Sequence, residues 1–123
     1  HLDVVLTAGK GALEKKRRPI KADTSALNAF WALDAGDVTG DGKADIIAVG
    51  TKSGSSDTIA LVLPGKGDGT FPSAFVATTN YEANGNAADV AFGAFQGRGT
   101  LGFVIYAWEG PESYMHVYSG RCK

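Results

Sequence analysis

The apolar positions of this chain come in short runs. "LDVVLTA" (2–8), "RRPIKA" (17–22), "AFWALDAG" (29–36), "ADIIAVG" (44–50), "TIALVLP" (58–64), "SAFVATT" (73–79), "ADVAFGAF" (88–95), "LGFVIYA" (101–107) and "YMHVYS" (114–119) are apolar or alternating, and Gly, Asn, Asp, Ser or Pro bound them. Runs of this length predict β-strands, and their spacing of roughly 8 to 15 residues predicts an antiparallel meander. The helical pattern is weak: "GALEKKRRPIKAD" allows a start at Ala12 that Pro19 stops, and "SALNAF" is too short to extend it. The 17 glycines agree with many tight turns between strands.

Self-similarity organises the runs. Sliding the chain by 57 residues lays "LDAGDVTGDGKADIIAV" (33–49) on "VAFGAFQGRGTLGFVIY" (90–106), with Gly36, Gly40 and Gly42 on Gly93, Gly97 and Gly99. A slide of 56 lays "DVVLTAGKG" (3–11) on "IALVLPGKG" (59–67). The unit is strand, acidic loop, strand, glycine loop, strand, "GKGDGTF" turn, strand: a four-stranded meander of the kind that forms one blade of a β-propeller. The fold expected is all-β, with about two blades: residues 1–27 end one blade, 28–80 form a complete blade, and 81–123 form a partial, degenerate one. Blades bury their faces against neighbours, so two leave a propeller incomplete unless other chains or a larger parent close it.

The loop "DVTGDGKAD" (37–45) concentrates the candidate chemistry. Counted from Asp37, positions 1, 3, 5 and 9 are Asp37, Thr39, Asp41 and Asp45, all oxygen donors; Gly42 permits a sharp turn, and Lys43 offers its backbone carbonyl. Hard oxygen donors at this spacing suit calcium, with its roughly six to eight ligands. An EF-hand is excluded, because its twelfth position is Ala48 here and strands flank the loop. Three close carboxylates repel one another, which favours a bound cation over a plain turn. A calcium affinity of about 10⁻⁴ to 10⁻³ M would add about 0.4 to 1.4 kcal/mol of stability at millimolar calcium. In the second copy these four positions become Ala94, Gln96, Arg98 and Gly102, so one calcium per chain is expected, with the Arg98 guanidinium a candidate substitute for the ion.

Composition narrows the rest. Twelve basic against 13 acidic residues leave no global field directed at nucleic acid or a membrane, and no apolar run approaches the roughly 18 residues that span a bilayer. "KKRRP" (15–19) reads as a charged edge strand and "GKGDGTF" (65–71) as a hairpin turn, since a phosphate-binding loop would lead into a helix. Two histidines, His1 and His116, do not supply a hydrolase triad, and a copper site at His1 lacks the remainder of its fold. A chain starting at His1 is expected to have been processed or engineered, and Cys122, the one cysteine, has no partner within the chain. Tyr106, Trp108, Tyr114 and Tyr118 gather near the last runs, as core filling or as a surface on which sugar rings stack.

"AGDVTGDGKADIIAVG" followed by "IALVLPGKGDGTF" resembles the FG-GAP/VCBS repeat, the calcium-loop propeller blade of integrin alpha chains and of many secreted microbial and fungal proteins. The resemblance covers residues 28 to 80 with specific motifs and the flanks more faintly; Thr39 departs from the Asp or Asn usual at its position but keeps an oxygen. It implies a secreted, calcium-binding recognition protein, lectin-like in the first instance and without an active site of its own, with a glycan or protein ligand and association into a homo-oligomer or with the rest of a propeller. The alternatives are a propeller portion of a secreted polysaccharide-acting enzyme and a structural adhesion module.

Overall fold

The computed structural model describes residues 3–4, 18–20, 23–81, 87–95, 101–109 and 112–119. Among the described residues all regular structure is β: β1 (Asp3–Val4), β2 (Arg18–Pro19), β3 (Leu27–Gly36), β4 (Asp45–Lys52), β5 (Thr58–Leu63), β6 (Phe75–Tyr81), β7 (Ala87–Gly93), β8 (Gly102–Glu109) and β9 (Glu112–Ser119). Each strand overlaps one of the nine apolar runs. The helix start at Ala12 lies outside the described residues.

The strands form three antiparallel sheets, each in chain order: β1-β2, β3-β4-β5-β6 and β7-β8-β9. Two short strands, a complete four-stranded meander and three further strands are consistent with partial propeller blades. The register makes the repetition literal. Gly36 pairs with Asp45 as Gly93 pairs with Gly102, and Ala32 pairs with Val49 as Asp89 pairs with Tyr106, at the same offset of 57 residues. Even the irregularity is copied, for the register shift between Phe30 and Ala32 recurs between Ala87 and Asp89. A bulge at that point increases local twist and bends the first strand of each sheet.

Strand composition follows from which faces are covered. In β5, "TIALVL", every residue is buried. Ala60 and Val62 enter one core with Val38, Ile47, Val49, Val90, Phe103 and Ile105, which fills the space between the four-stranded and three-stranded sheets. Ile59, Leu61 and Leu63 enter a second core on the opposite face with Leu27, Ala48 and Phe71, against which Ile20 and Ala74 pack. A strand covered on both faces cannot alternate, and its sequence is a continuous apolar run. β3, at the sheet edge, keeps exposed positions at Phe30, Trp31 and Leu33.

Besides apolar packing, a polar link joins the β3–β6 sheet to the β7–β9 sheet. The Asp34 carboxylate accepts the Phe92 N–H at 2.8 Å, satisfying a β7 backbone donor from β3.

Gly50 marks how closely β3 and β4 approach. A Cβ there would overlap the Ala29 carbonyl oxygen of β3. Gly50→Ala is expected to destabilise the chain by about 1–3 kcal/mol, because the overlap is with backbone and not with a side chain that can rotate away. Urea unfolding should show a lower midpoint at unchanged slope.

Candidate functional site

The meander brings two loops to one end of the four-stranded sheet: residues 37–44 between β3 and β4, and 64–74 between β5 and β6. In the first, Gly40 and Gly42 adopt φ of 79° and 82°, which L side chains resist and which turns successive N–H groups toward the loop interior. Asp37 collects them. Its Oδ1 accepts from the Gly40 and Asp41 N–H groups at 2.7 and 3.0 Å, and its Oδ2 from the Gly42 N–H at 2.8 Å.

Asp45, the first residue of β4, is fully buried. Its Oδ2 accepts from the Val38 and Thr39 N–H groups at 3.0 and 2.9 Å, and its Oδ1 from the Gly65 N–H at 2.9 Å. One carboxylate thus joins the acidic loop to the glycine loop. A buried charge needs this many donors, since each unsatisfied group in such a place costs about 1–3 kcal/mol or more. Close backbone contact reinforces the join: a Cβ on Gly65 would overlap the Ala44 carbonyl oxygen.

Asp41 is handled differently. It is exposed, its Oδ1 accepts the Lys43 N–H at 2.9 Å, and its Oδ2 forms an ion pair with Lys43 Nζ at 2.8 Å. The hydrogen bond from the Lys43 ammonium holds the Asp41 carboxyl below its ordinary range, and the same bond, with the charges of Asp41, Asp45 and Asp37, raises Lys43. The lysine read from the sequence as a carbonyl donor alone therefore also brings a positive charge to the carboxylates. Backbone N–H groups and this ammonium supply much of the positive potential that the repulsion argument assigned to an ion.

Thr39 stands apart. Its Oγ1 is buried and has no hydrogen-bond partner. Among the described residues no three His, Cys, Asp or Glu side chains form a metal-holding cluster. The loop thus offers carboxylate, hydroxyl and carbonyl oxygens, one of them an orphan, and no nitrogen or sulfur ligand. That donor chemistry fits a hard cation.

In the glycine loop, Gly67 and Gly69 both have φ of 80°, and Asp68 accepts from the Thr70 N–H and hydroxyl at 2.9 and 2.6 Å, which holds its carboxyl below the usual range. Phe71 turns into the core, and a strand follows. In the second copy the place of Asp45 is taken by Gly102, itself buried, while Gln96 and Arg98 lie outside the described residues, as do His1 and Cys122.

The four aromatic positions do not share a row. Tyr106 and Trp108 pair with Met115 and Ser113, whereas Tyr114 and Tyr118 pair with Ala107 and Phe103, in the opposite phase of the pleat. Tyr106 is 39% exposed. An aromatic that the pattern did not single out is better presented: Trp31 is 49% exposed at the β3 bulge, and its Nε1–H donates to Thr51 Oγ1 at 2.9 Å, which fixes the indole plane. Nothing in the run "AFWALDAG" signals that bulge.

Removing the Asp45 carboxylate tests the join. Asp45→Ala leaves three N–H groups without their charged acceptor and should lower unfolding free energy by about 3–5 kcal/mol, the range for breaking a buried charged network. In amide exchange, Gly65 and Thr39 should lose protection together, whereas Val38, whose N–H also donates to the Gly36 carbonyl at 3.0 Å, should lose less; loss at only one of Gly65 and Thr39 would separate the two loops.

Residues 29–70, from β3 through the acidic loop to Thr70, match the family model of the FG-GAP repeat. No curated protein and no solved structure gives a significant match to the chain. The β3–β5 hairpins with their acidic and glycine loops thus match an FG-GAP repeat over part of the chain, and the all-β sheets around them are consistent with partial β-propeller blades.

Proposed function

We propose that this chain is a calcium-binding recognition module in which the ion stiffens the 37–45 loop and catalysis plays no part. The observation that carries the reading is the buried, unpartnered Thr39 Oγ1, lodged in a loop with aspartates at positions 1, 5 and 9. Asp37, Thr39, Asp41, Asp45 and the Lys43 carbonyl would hold the ion; bound calcium would supply charge neutralisation and loop rigidity. Each carboxylate oxygen that accepts N–H groups keeps electron density for a cation, and Lys43 is the competitor at Asp41. A weak site of this kind suits the millimolar calcium outside cells.

The test is calorimetric titration of calcium into chelator-treated protein, paired with Thr39→Val. One ion per chain is expected, with Kd between about 10⁻⁴ and 10⁻³ M. Valine removes the oxygen at nearly constant volume, so the variant should bind calcium about tenfold more weakly, yet in chelator be as stable as the parent or up to about 1 kcal/mol more so, because a desolvated hydroxyl is gone. Absence of calcium heat at millimolar ion, or a variant that binds as well as the parent, would refute the site.

A specific observation also favours carbohydrate as the ligand class. Trp31 presents a half-exposed indole held in one orientation by Thr51, beside the exposed Phe30. A rigid aromatic plane is suited to the apolar face of a sugar ring and loses little entropy on binding. Retention on immobilised polysaccharides should fall at least about tenfold in Trp31→Ala, the loss of a main aromatic anchor, with Tyr106→Ala as the comparison; equal binding by parent and Trp31→Ala would remove this reading and leave the calcium reading intact.

A further inference from the structure

The three carboxylates of the 37–45 loop are held by two kinds of donor. Asp37 and Asp45 accept backbone N–H groups, which are uncharged and fixed by the turn. Asp41 has both oxygens on one residue: Oδ1 accepts the Lys43 N–H at 2.9 Å, and Oδ2 accepts from Lys43 Nζ at 2.8 Å. A backbone N–H leaves its acceptor oxygen a further lone pair, whereas an ammonium brings a full positive charge to the oxygen that a metal ion would need. The Lys43 stem is placed as well. A Cβ built on Gly67 would lie 3.2 and 3.5 Å from Lys43 Cδ and Cγ, so the stem lies against the glycine loop at a position with no side chain of its own. In the internal repeat the acid and the base are replaced together, by Arg98 and Thr100.

We propose that Lys43 is a tethered cation that occupies Asp41 when calcium is absent and leaves it when calcium binds, carrying the change to the glycine loop through the stem on Gly67. The proposal rests on the calcium reading of this loop and deepens it, naming the residue that sets the threshold of the site. Lys43 opposes the ion in two ways: its ammonium takes Oδ2 of Asp41, and its charge repels a dication held by the neighbouring oxygens. Both side chains of the pair are exposed, so the ammonium that leaves Asp41 is hydrated and the exchange has a low barrier to overcome. Charge fits the exchange too. Three aspartates and one lysine leave the loop at −2, which one divalent ion brings to zero. Without the ion, the same ammonium offsets the repulsion of Asp41 by Asp37 and Asp45, so the loop keeps its shape at low calcium. Lys43 thus limits the site with its side chain while its backbone carbonyl serves it.

Lys43→Met keeps an unbranched stem and deletes the charge. Calorimetric titration of calcium into the chelator-treated chain should give Lys43→Met a Kd about three- to tenfold lower than the parent's, with Lys43→Arg binding no more tightly than the parent. Lys52→Met makes the same charge change at the far end of β4 and should stay within about twofold of the parent. In the parent, the proton resonances of Lys43 Hε and of Gly67 Hα, which face each other across the two loops, should move at the midpoint that calorimetry gives. Absence of heat from parent and Lys43→Met alike would refute the calcium reading and this proposal with it. Equal binding by parent and Lys43→Met, binding by Lys43→Arg as tight as by Lys43→Met, or resonances indifferent to calcium that the calorimeter detects would leave the calcium site standing and overturn the exchange.

Discussion

The Asp45 carboxylate sets the conditions for the rest of the blade. It is a charge with no exposure to water, at the first residue of a strand whose next residues fill two cores, and it is tolerable there because three N–H groups from two loops converge on it. Those bonds fix where β4 begins, and so which of its residues face each core; a slip by one residue would exchange Ile47 and Val49 with Ile46 and Ala48. The same bonds tie the entry of β4 to the exit of β5. In the second copy glycine stands at the equivalent place, and the Gly93–Gly102 pairing survives without the clamp, because the shared core with the first sheet specifies that register on its own.

Much of this was legible in the sequence. The strands announce themselves because short apolar runs between turn residues have few other uses, and the repeat is visible because its glycines recur where the backbone needs them. "TIALVL" also betrays its central place, since six buried residues in succession require cover on both faces. Two features were hidden. The bulge at Phe30–Ala32 is a shift in how β3 registers on β4, which the alternation of the run does not mark, and so Trp31 passed unnoticed. The aromatics near the chain's end look like a cluster because sequence distance does not separate the two phases of a hairpin; the register does.

The acidic loop shows where reading by residue type stops. The positions of Asp37, Thr39, Asp41 and Asp45 were plain from spacing, but the partners of the carboxylates depend on the backbone. Left-handed glycines at 40 and 42 aim N–H groups at Asp37, and Lys43 folds back on Asp41. Counting carboxylates therefore overstates how much positive charge the loop must import. Asking which oxygen is left without a partner is the sharper question, and it selects Thr39, the residue that departs from the expected pattern.

The two ends of the blade are built to different tolerances. At the acidic end, two loops are locked to each other through Asp45 and the Gly65–Ala44 contact. At the other end, five residues, 53–57, connect β4 to β5, whereas only 110 and 111 separate β8 from β9, and yet the strands they join keep equivalent pairings. Length has changed between the copies on that rim without disturbing the sheet. That rim is where an engineer could graft a foreign loop, and where divergence among blades has room to build new surfaces while the opposite rim stays committed to holding the strands in step.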